Sequence, residues 1–411
     1  MTAAATRVPR GLDAGAGVAV RIRHSEGGGA RGHFLTTHDV SRFTRASVFQ
    51  PAVRVDTLVR FSSTLGFHSS PDAWRDIRGF AVKFFTDDGD YDLVGNNSPV
   101  FFLNDDRAFA QLVVAQKLYP AGGRHARFDL DRLWEFWLRH PESAHQVTWL
   151  MGDRGIPLSW RHQDGFGTHT FRWENGDGER FWVKYHLRSV QGTAHLTHDE
   201  ARALDIAEVD HYRHDLRDAI ERGDEPRWRL AVQVMPDAAA DDYRINPFDI
   251  TKVWPTADFP LLPVGTLVLD RNPDDETAEI EQAAFSPARF VPGIGPSPDR
   301  MLQARIVGYP TFHRHRITGL TTGGRRADDS LPALYDEAAL QRAARRHRDH
   351  DDFAQAGALV RDVLDGAARA RLVSTVAEHV APIRDEQLQA RVIDYFRRID
   401  GELADAVGDL V

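Results

Sequence analysis

Between about residues 50 and 290 the chain repeatedly alternates apolar with polar residues, and this alternation constrains its folding more than any other feature. In "VRVDTLVRF", Val53, Val55, Thr57, Val59 and Phe61 share one face, while Arg54, Asp56, Leu58 and Arg60 share the other. The stretches "GFAVKFFT", "PVFFLND", "RFWVKYHL", "WRLAVQVM" and "VGTLVLDR" read as strands of the same kind. Turn signals such as "DDGD", "NGDG" and "RNPDD" bound them. Eight or so such strands would expose unpaired edges unless the sheet closed on itself. A closed eight-stranded antiparallel β-barrel is therefore expected, within an α+β fold.

Helices are expected in two places. A helical insertion near 105–150 is suggested by "RAFAQLVVAQKL" and "DRLWEFWLRH". The tail from about 350 carries two apolar stripes at spacings of three and four: Leu372, Val373, Val376 and Val380, then Leu388, Val392, Phe396, Ile399, Leu403 and Val407. The expected organisation is an N-terminal arm at 1–20, a barrel unit at 21–317, a poorly patterned connector at 318–349 and a helical region at 350–411. No internal repeat is visible.

Composition removes several functions. The formal net charge of −9 gives no support to nucleic acid or an anionic membrane as a partner. The chain has no cysteine, which excludes disulfides, zinc–thiolate sites, iron–sulfur clusters and thiolate-ligated haem. Its opening, "MTAAATRVPRGLDAGAG", lacks the apolar run of a secretory signal, and no stretch approaches the ~20 apolar residues that span a bilayer. A cytoplasmic protein is expected.

In "SPDRMLQARIVGYPTFHRHR", Ser297 and Pro298 read as the N-cap and first residue of a helix. Arg305 and Tyr309 are four apart and share a face, and Arg316 extends that stripe if the helix continues past Pro310. A guanidinium beside a phenol favours the phenolate, and tyrosine is a known proximal ligand of haem iron. By spacing alone this is equally a tyrosine packed beneath an arginine on an ordinary helix.

The segment nevertheless resembles the proximal haem-ligand segment of haem catalases. "RIRHSEGGGARGHFLTTHDV" resembles their distal-histidine segment, and "VRFSSTLGFHSSPDAWRDIRGFAVKFFTDDGDYDLVGNNSPVFFLNDDRAF" is similar nearly end to end. "NPFDITKVWPTADFPLLPVG", "LDRNPDDETAEIEQAAFSP" and "DDFAQAGALVRDVL" continue the likeness, which runs from about residue 20 to the C-terminus. The resemblance implies a haem pocket, haem b being the expected form. Tyr309 would be the metal ligand and Arg305 its guanidinium partner. His24 would be the distal acid–base group, Ser62 the hydroxyl orienting it, and Asn96 the amide that holds peroxide. Phe101 and Phe109 would wall the distal side, and Ile22 would lie against the cofactor. Arg21, Arg60 and Arg316 would clamp the propionates, since forked donors pair with carboxylates. The glycines after His24 would allow backbone and cofactor to approach. His38 and Asn97 are read as structural, and His313 is given no chemistry.

The reaction implied is dismutation of hydrogen peroxide to water and oxygen. Departures from the family pattern support a second reading, a peroxidase, peroxygenase or specialised biosynthetic enzyme acting on a small organic substrate. Ile22 and Arg23 stand where two valines are usual, Thr64 where a valine is, and Leu112 where a phenylalanine is. Arg23 and Thr64 together suggest admission of a polar molecule larger than peroxide. A haem carrier or gas sensor is a third reading, disfavoured by the retention of His24, Asn96 and Tyr309. The sequence assigns no NADPH site. The short arm and connector leave a homo-oligomer expected, dimer or tetramer.

Overall fold

The computed structural model describes residues 21, 24–64, 70–116, 118–120, 126–316 and 331–411. Ile22, Arg23, the 1–20 arm and part of the connector fall outside them. Five of the six alternating segments are strands, and they belong to one sheet. Its strands are β1 (Gly27–Thr36), β2 (Arg54–Ser63), β3 (Arg78–Thr86), β4 (Gly89–Asn96), β7 (Gly165–Phe166), β8 (Phe171–Glu174), β9 (Arg180–Ser189), β10 (Arg227–Pro236), β11 (Leu262–Arg271) and β12 (Ile294–Pro296). A separate hairpin joins β5 (Leu118–Pro120) to β6 (Ala126–Phe128). The order β10-β11-β1-β2-β3-β4-β7-β9 closes by pairing of β9 with β10, so eight strands make a ring and no edge of it is left open. β8 and β12 extend from β9 as a flap beside that ring.

Alternation sorts the two faces as predicted. Val59, Phe61, Val82, Phe84, Tyr91 and Tyr185 fill the barrel, where Phe61 stacks on Trp160 with ring centroids 5.4 Å apart. "PVFFLND" is not a strand. Phe101 N donates to Ile250 O instead of to a ladder, and Phe102 stacks on Trp137 at 6.2 Å among helices. A short apolar run is equally at home in a strand or in a loop buried by helices, and here the insertion covers it.

The insertion comprises α1 (Phe109–Ala115), α2 (Leu130–Arg139) and α3 (Ala144–Met151). Two further helices, α4 (His198–Ala207) and α5 (His211–Glu221), interrupt the strand region where none was predicted. α4 opens on a capping box between Thr197 and Glu200. After β12 come α6 (Arg300–Arg316), α7 (Glu337–Ala343), α8 (Ala354–Ala358), α9 (Gly366–Val380), α10 (Glu386–Ile399) and α11 (Gly401–Gly408). The second predicted stripe is divided between α10 and α11 because the Asp400 carboxylate accepts from Leu403 N and starts a new helix. Both stripes pack on the insertion, with Trp134, Trp137, Val376 and Phe396 in one cluster. Among the described residues no helix is long and apolar enough to cross a membrane.

One buried charge cluster fixes the loop after β11 to the barrel's outer wall. Lys83 Nζ donates to Asp92 Oδ1 at 2.6 Å, while Arg289 Nη1 and Ser286 N donate to Asp92 Oδ2 at 3.1 and 2.8 Å. Burial lowers the Lys83 pKa below the usual ammonium range, and the nearby Asp92 opposes that shift. The cluster places Phe285 against the wall.

Candidate active site

With the odd-numbered residues of β2 turned into the barrel, its even-numbered ones face outward, and strand register arranges them in rows. Gly27, Ser62, Gly79 and Asn96 form one row across β1 to β4. Gly29, Arg60, Ala81 and Val94 form the next. His24 stands just before β1 and adopts φ 55, a left-handed conformation that non-glycine residues rarely take. Its Nδ1 lies 2.9 Å from Ser62 Oγ, the contact expected of an oriented imidazole.

The first row explains Gly79, which sequence reasoning passed over. A Cβ there would lie 2.4 Å from Ser62 Oγ and 2.9 Å from His24 Nδ1. Only hydrogen fits between the imidazole and the wall. Gly79→Ala is therefore expected to lower turnover by roughly tenfold to a hundredfold, the scale of a displaced catalytic group, while the barrel still folds. Initial rates measured beside a crystal structure of the variant check this. Gly27 also permits a close approach between strands: its Cβ would meet Phe61 O at 2.2 Å.

The paired asparagines differ in their partners. Asn97 uses both ends of its amide, accepting from Arg78 N at 2.9 Å and donating to Arg154 O at 2.9 Å. Asn96 makes no side-chain hydrogen bond among the described residues, and its amide belongs to the row that carries Ser62. Phe101 and Phe109 lie with ring centroids 6.4 Å apart, Phe109 partly in solvent. His38 is exposed and bonded to its neighbour Thr37, away from these groups.

On the other side stands α6. It begins two residues later than predicted, because Asp299 is the cap: its Oδ1 accepts from Met301 N at 2.8 Å and Leu302 N at 3.2 Å. Ser297 Oγ instead donates to Thr170 O. The helix persists through Pro310 to Arg316, whose side chain lies outside the described part. Arg305 Nη2 donates to Tyr309 Oη at 2.8 Å and to Val94 O at 3.2 Å. Tyr309 packs against a cluster that includes Leu58, Val94, Ile280 and Phe285. His313 Nε2 donates to Phe285 O at 2.8 Å.

Two residues not foreseen complete this side. His169 Nδ1 lies 2.6 Å from Asp299 Oδ2, and its Nε2 lies 2.7 Å from Arg305 Nη1. A guanidinium has donors only, so Nε2 accepts and Nδ1 carries the proton to the carboxylate. Burial pushes the imidazole's pKa below its ordinary value, which agrees with that neutral tautomer. Asp299, His169, Arg305 and Tyr309 thus form an unbroken chain. His169 follows Thr168, a β-branched residue at φ 64, and Lys184 Nζ donates to the Thr168 carbonyl at 3.2 Å.

Two of the three expected propionate clamps, Arg21 and Arg60, converge on a carboxylate of the chain itself. Arg60 Nη2 and Nε donate to Glu281 Oε1 at 2.9 and 3.2 Å. Arg21 Nε lies 3.7 Å from Glu281 Oε2, and its Nη2 donates to the carbonyls of Glu281 and Ala283, each at 2.8 Å. The Thr64 hydroxyl donates to Ile77 O at 2.7 Å, so it does not present a proton donor to an incoming polar molecule.

Known proteins define the class. A profile of the family described as Catalase matches residues 16–322, and one described as Catalase-related immune-responsive matches 345–411. A bromoperoxidase-catalase of Streptomyces venezuelae is 43% identical over 421 aligned positions, covering 92% of this chain and 86% of that protein. A catalase of Helicobacter pylori is 49% identical over 298 positions, 72% of this chain and 58% of its own. The structure of a bacterial catalase superposes with a TM-score of 0.87 at 40% identity, covering 96% of this chain and 87% of that one. Catalase A from Saccharomyces cerevisiae gives 0.85 at 31%, covering 96% and 90%. The chain belongs to the catalase family of oxidoreductases.

Proposed function

We propose that this site holds haem b between the outer barrel wall and α6 and dismutates hydrogen peroxide to water and oxygen. The observation that carries the reading is the chain Asp299–His169–Arg305–Tyr309, which ends at a phenol oxygen on α6 while the His24–Ser62 pair stands on the wall. The residues fit the group. Leu58, Ala81, Val94 and Phe285 offer an apolar bed for a flat macrocycle, and Arg21 and Arg60 at its polar edge would have to release Glu281 to take the cofactor's carboxylates.

The bound haem would supply the redox chemistry of the O–O bond. The chain does the rest. Tyr309 Oη would be the metal ligand, with Arg305 placing a positive charge and a donor against it. His24 would take a proton from one peroxide oxygen and return it to the other, while Ser62 fixes the ring through its contact with Nδ1. Asn96, whose amide makes no side-chain hydrogen bond among the described residues, would donate to the peroxide. Phe101 and Phe109 narrow the approach and keep bulk water away. A dimer or tetramer is the expected assembly, symmetric association being the common arrangement for soluble oligomers.

A second reading, oxidation of a co-substrate at the same site, is favoured by the name of the Streptomyces venezuelae relative. One experiment separates the two. Haem-loaded protein is mixed with peroxide in an oxygen electrode, with and without bromide and a phenol. Oxygen release that is unaffected by the additives supports dismutation. Oxygen release at trace level, with halogenated or coupled phenol as product, overturns it in favour of the second reading.

A further inference from the structure

We propose that Arg213, on α5, is a positioning residue that holds the His24 turn in its left-handed conformation. This rests on the reading of His24 as the distal acid–base group. A histidine at φ 55 is in a conformation its backbone does not favour, so its surroundings must determine it. β1 begins at Gly27, and Glu26 joins the ladder through its backbone, accepting from Ser63 N at 3.0 Å.

Two guanidiniums grip the turn from opposite sides. From the wall, Arg60 Nη1 donates to His24 O at 3.0 Å and Nη2 to Ser25 O at 3.4 Å. From α5, Arg213 Nε donates to Gly27 O at 2.8 Å and Nη2 to the Glu26 carboxylate at 2.7 Å. The turn is thereby held from both ends. Arg213 is itself immobilised: its Nη1 donates to Asp210 at 2.6 Å and its backbone N to the buried Asp72 carboxylate at 3.3 Å. A guanidinium suits the task because its donors leave a rigid plane in several fixed directions. An ammonium at the same place would reach Glu26 but could not hold Gly27 O and Asp210 in the same geometry. Arg213 acts on the reaction only through the turn.

The test compares wild type, Arg213→Met and Arg213→Lys as haem-loaded full-length protein. Steady-state oxygen evolution gives kcat and KM, and hydrogen exchange is followed in a peptide covering 24–30 and in one from α9. Arg213→Met is expected to lower kcat on the order of 10-fold to 100-fold, with KM little changed, as small misplacements of a catalytic group do. Exchange at 24–30 is expected to quicken while α9 is unaffected, and Arg213→Lys to recover part of both. Unchanged kcat, or a fall in kcat without faster exchange at 24–30, would overturn the proposal. So would exchange that quickens equally in α9, which would mark a purely structural residue. If Arg213→Met does not fold, Glu26→Gln is expected to show the same pattern in smaller degree, and a wild-type pattern there overturns the proposal. If wild type loaded with haem releases no oxygen, the functional reading fails, and the exchange comparison alone decides the role of Arg213.

Discussion

Tyr309→Phe is expected to abolish peroxide turnover and to remove the high-spin, tyrosinate-type Soret band of the haem-loaded protein. Phenylalanine keeps the ring that packs beside Leu58 and Phe285, so the fold survives and the loss is that of one oxygen. Neighbouring positions grade the effect. Asp299→Asn leaves the α6 cap able to accept from Met301 N and Leu302 N but weakens the hold on His169. A partner in direct contact with a metal ligand, as Arg305 is with Tyr309, is typically worth ~10–100-fold in affinity or activity, and Asp299, three contacts away, should cost less. The expected order of activity is therefore wild type, then Asp299→Asn, then Tyr309→Phe at the limit of detection. Absorbance spectra and oxygen-electrode rates on the three proteins check it. A Tyr309→Phe protein with a wild-type spectrum would remove the ligand assignment.

His24→Ala is expected to slow turnover by ~10²–10⁴, the usual worth of a positioned acid–base group. The Soret band should persist, since the ligand on α6 is untouched. His24→Gly should be equally inactive but more stable than His24→Ala. At φ 55 any residue with a Cβ crowds its own carbonyl, at a cost of roughly 1–2 kcal/mol that glycine escapes. Urea unfolding of the two variants measures that difference directly. Equal stabilities would mean that the turn is not held in the left-handed region.

The site was unevenly legible in the sequence, for identifiable reasons. Arg305 and Tyr309 could be read because helical spacing brings them together within one turn. Ser62 and Asn96 could be placed by resemblance, yet no local pattern says that they share a row with Gly79; that follows from the register of two strand pairs. His169 carried no signal, because its partners Asp299 and Arg305 lie 130 and 136 residues away in the chain. Ser297 is a good cap by type, but its hydroxyl is taken by Thr170 O and Asp299 caps the helix instead. Strand β4 was passed over because its first residues sit in the turn signal "DDGD"; Asp90 and Asp92 alternate with inward Tyr91 and Leu93, and on the outer face they meet Lys83. Glu281 looked like an ordinary acid in a polar run until two arginines met on it.

The stretch from Phe166 to His169 has a mechanical consequence. Phe166 pairs with Asn96 on the wall, and His169, three residues later, reaches the guanidinium that holds Tyr309. The spacing between the two jaws of the site is thus gauged by a caliper three residues long, with the awkward backbone of Thr168 as its pivot. A substitution that lets Thr168 relax would shift both jaws together, so peroxide grip and metal ligation should deteriorate in step.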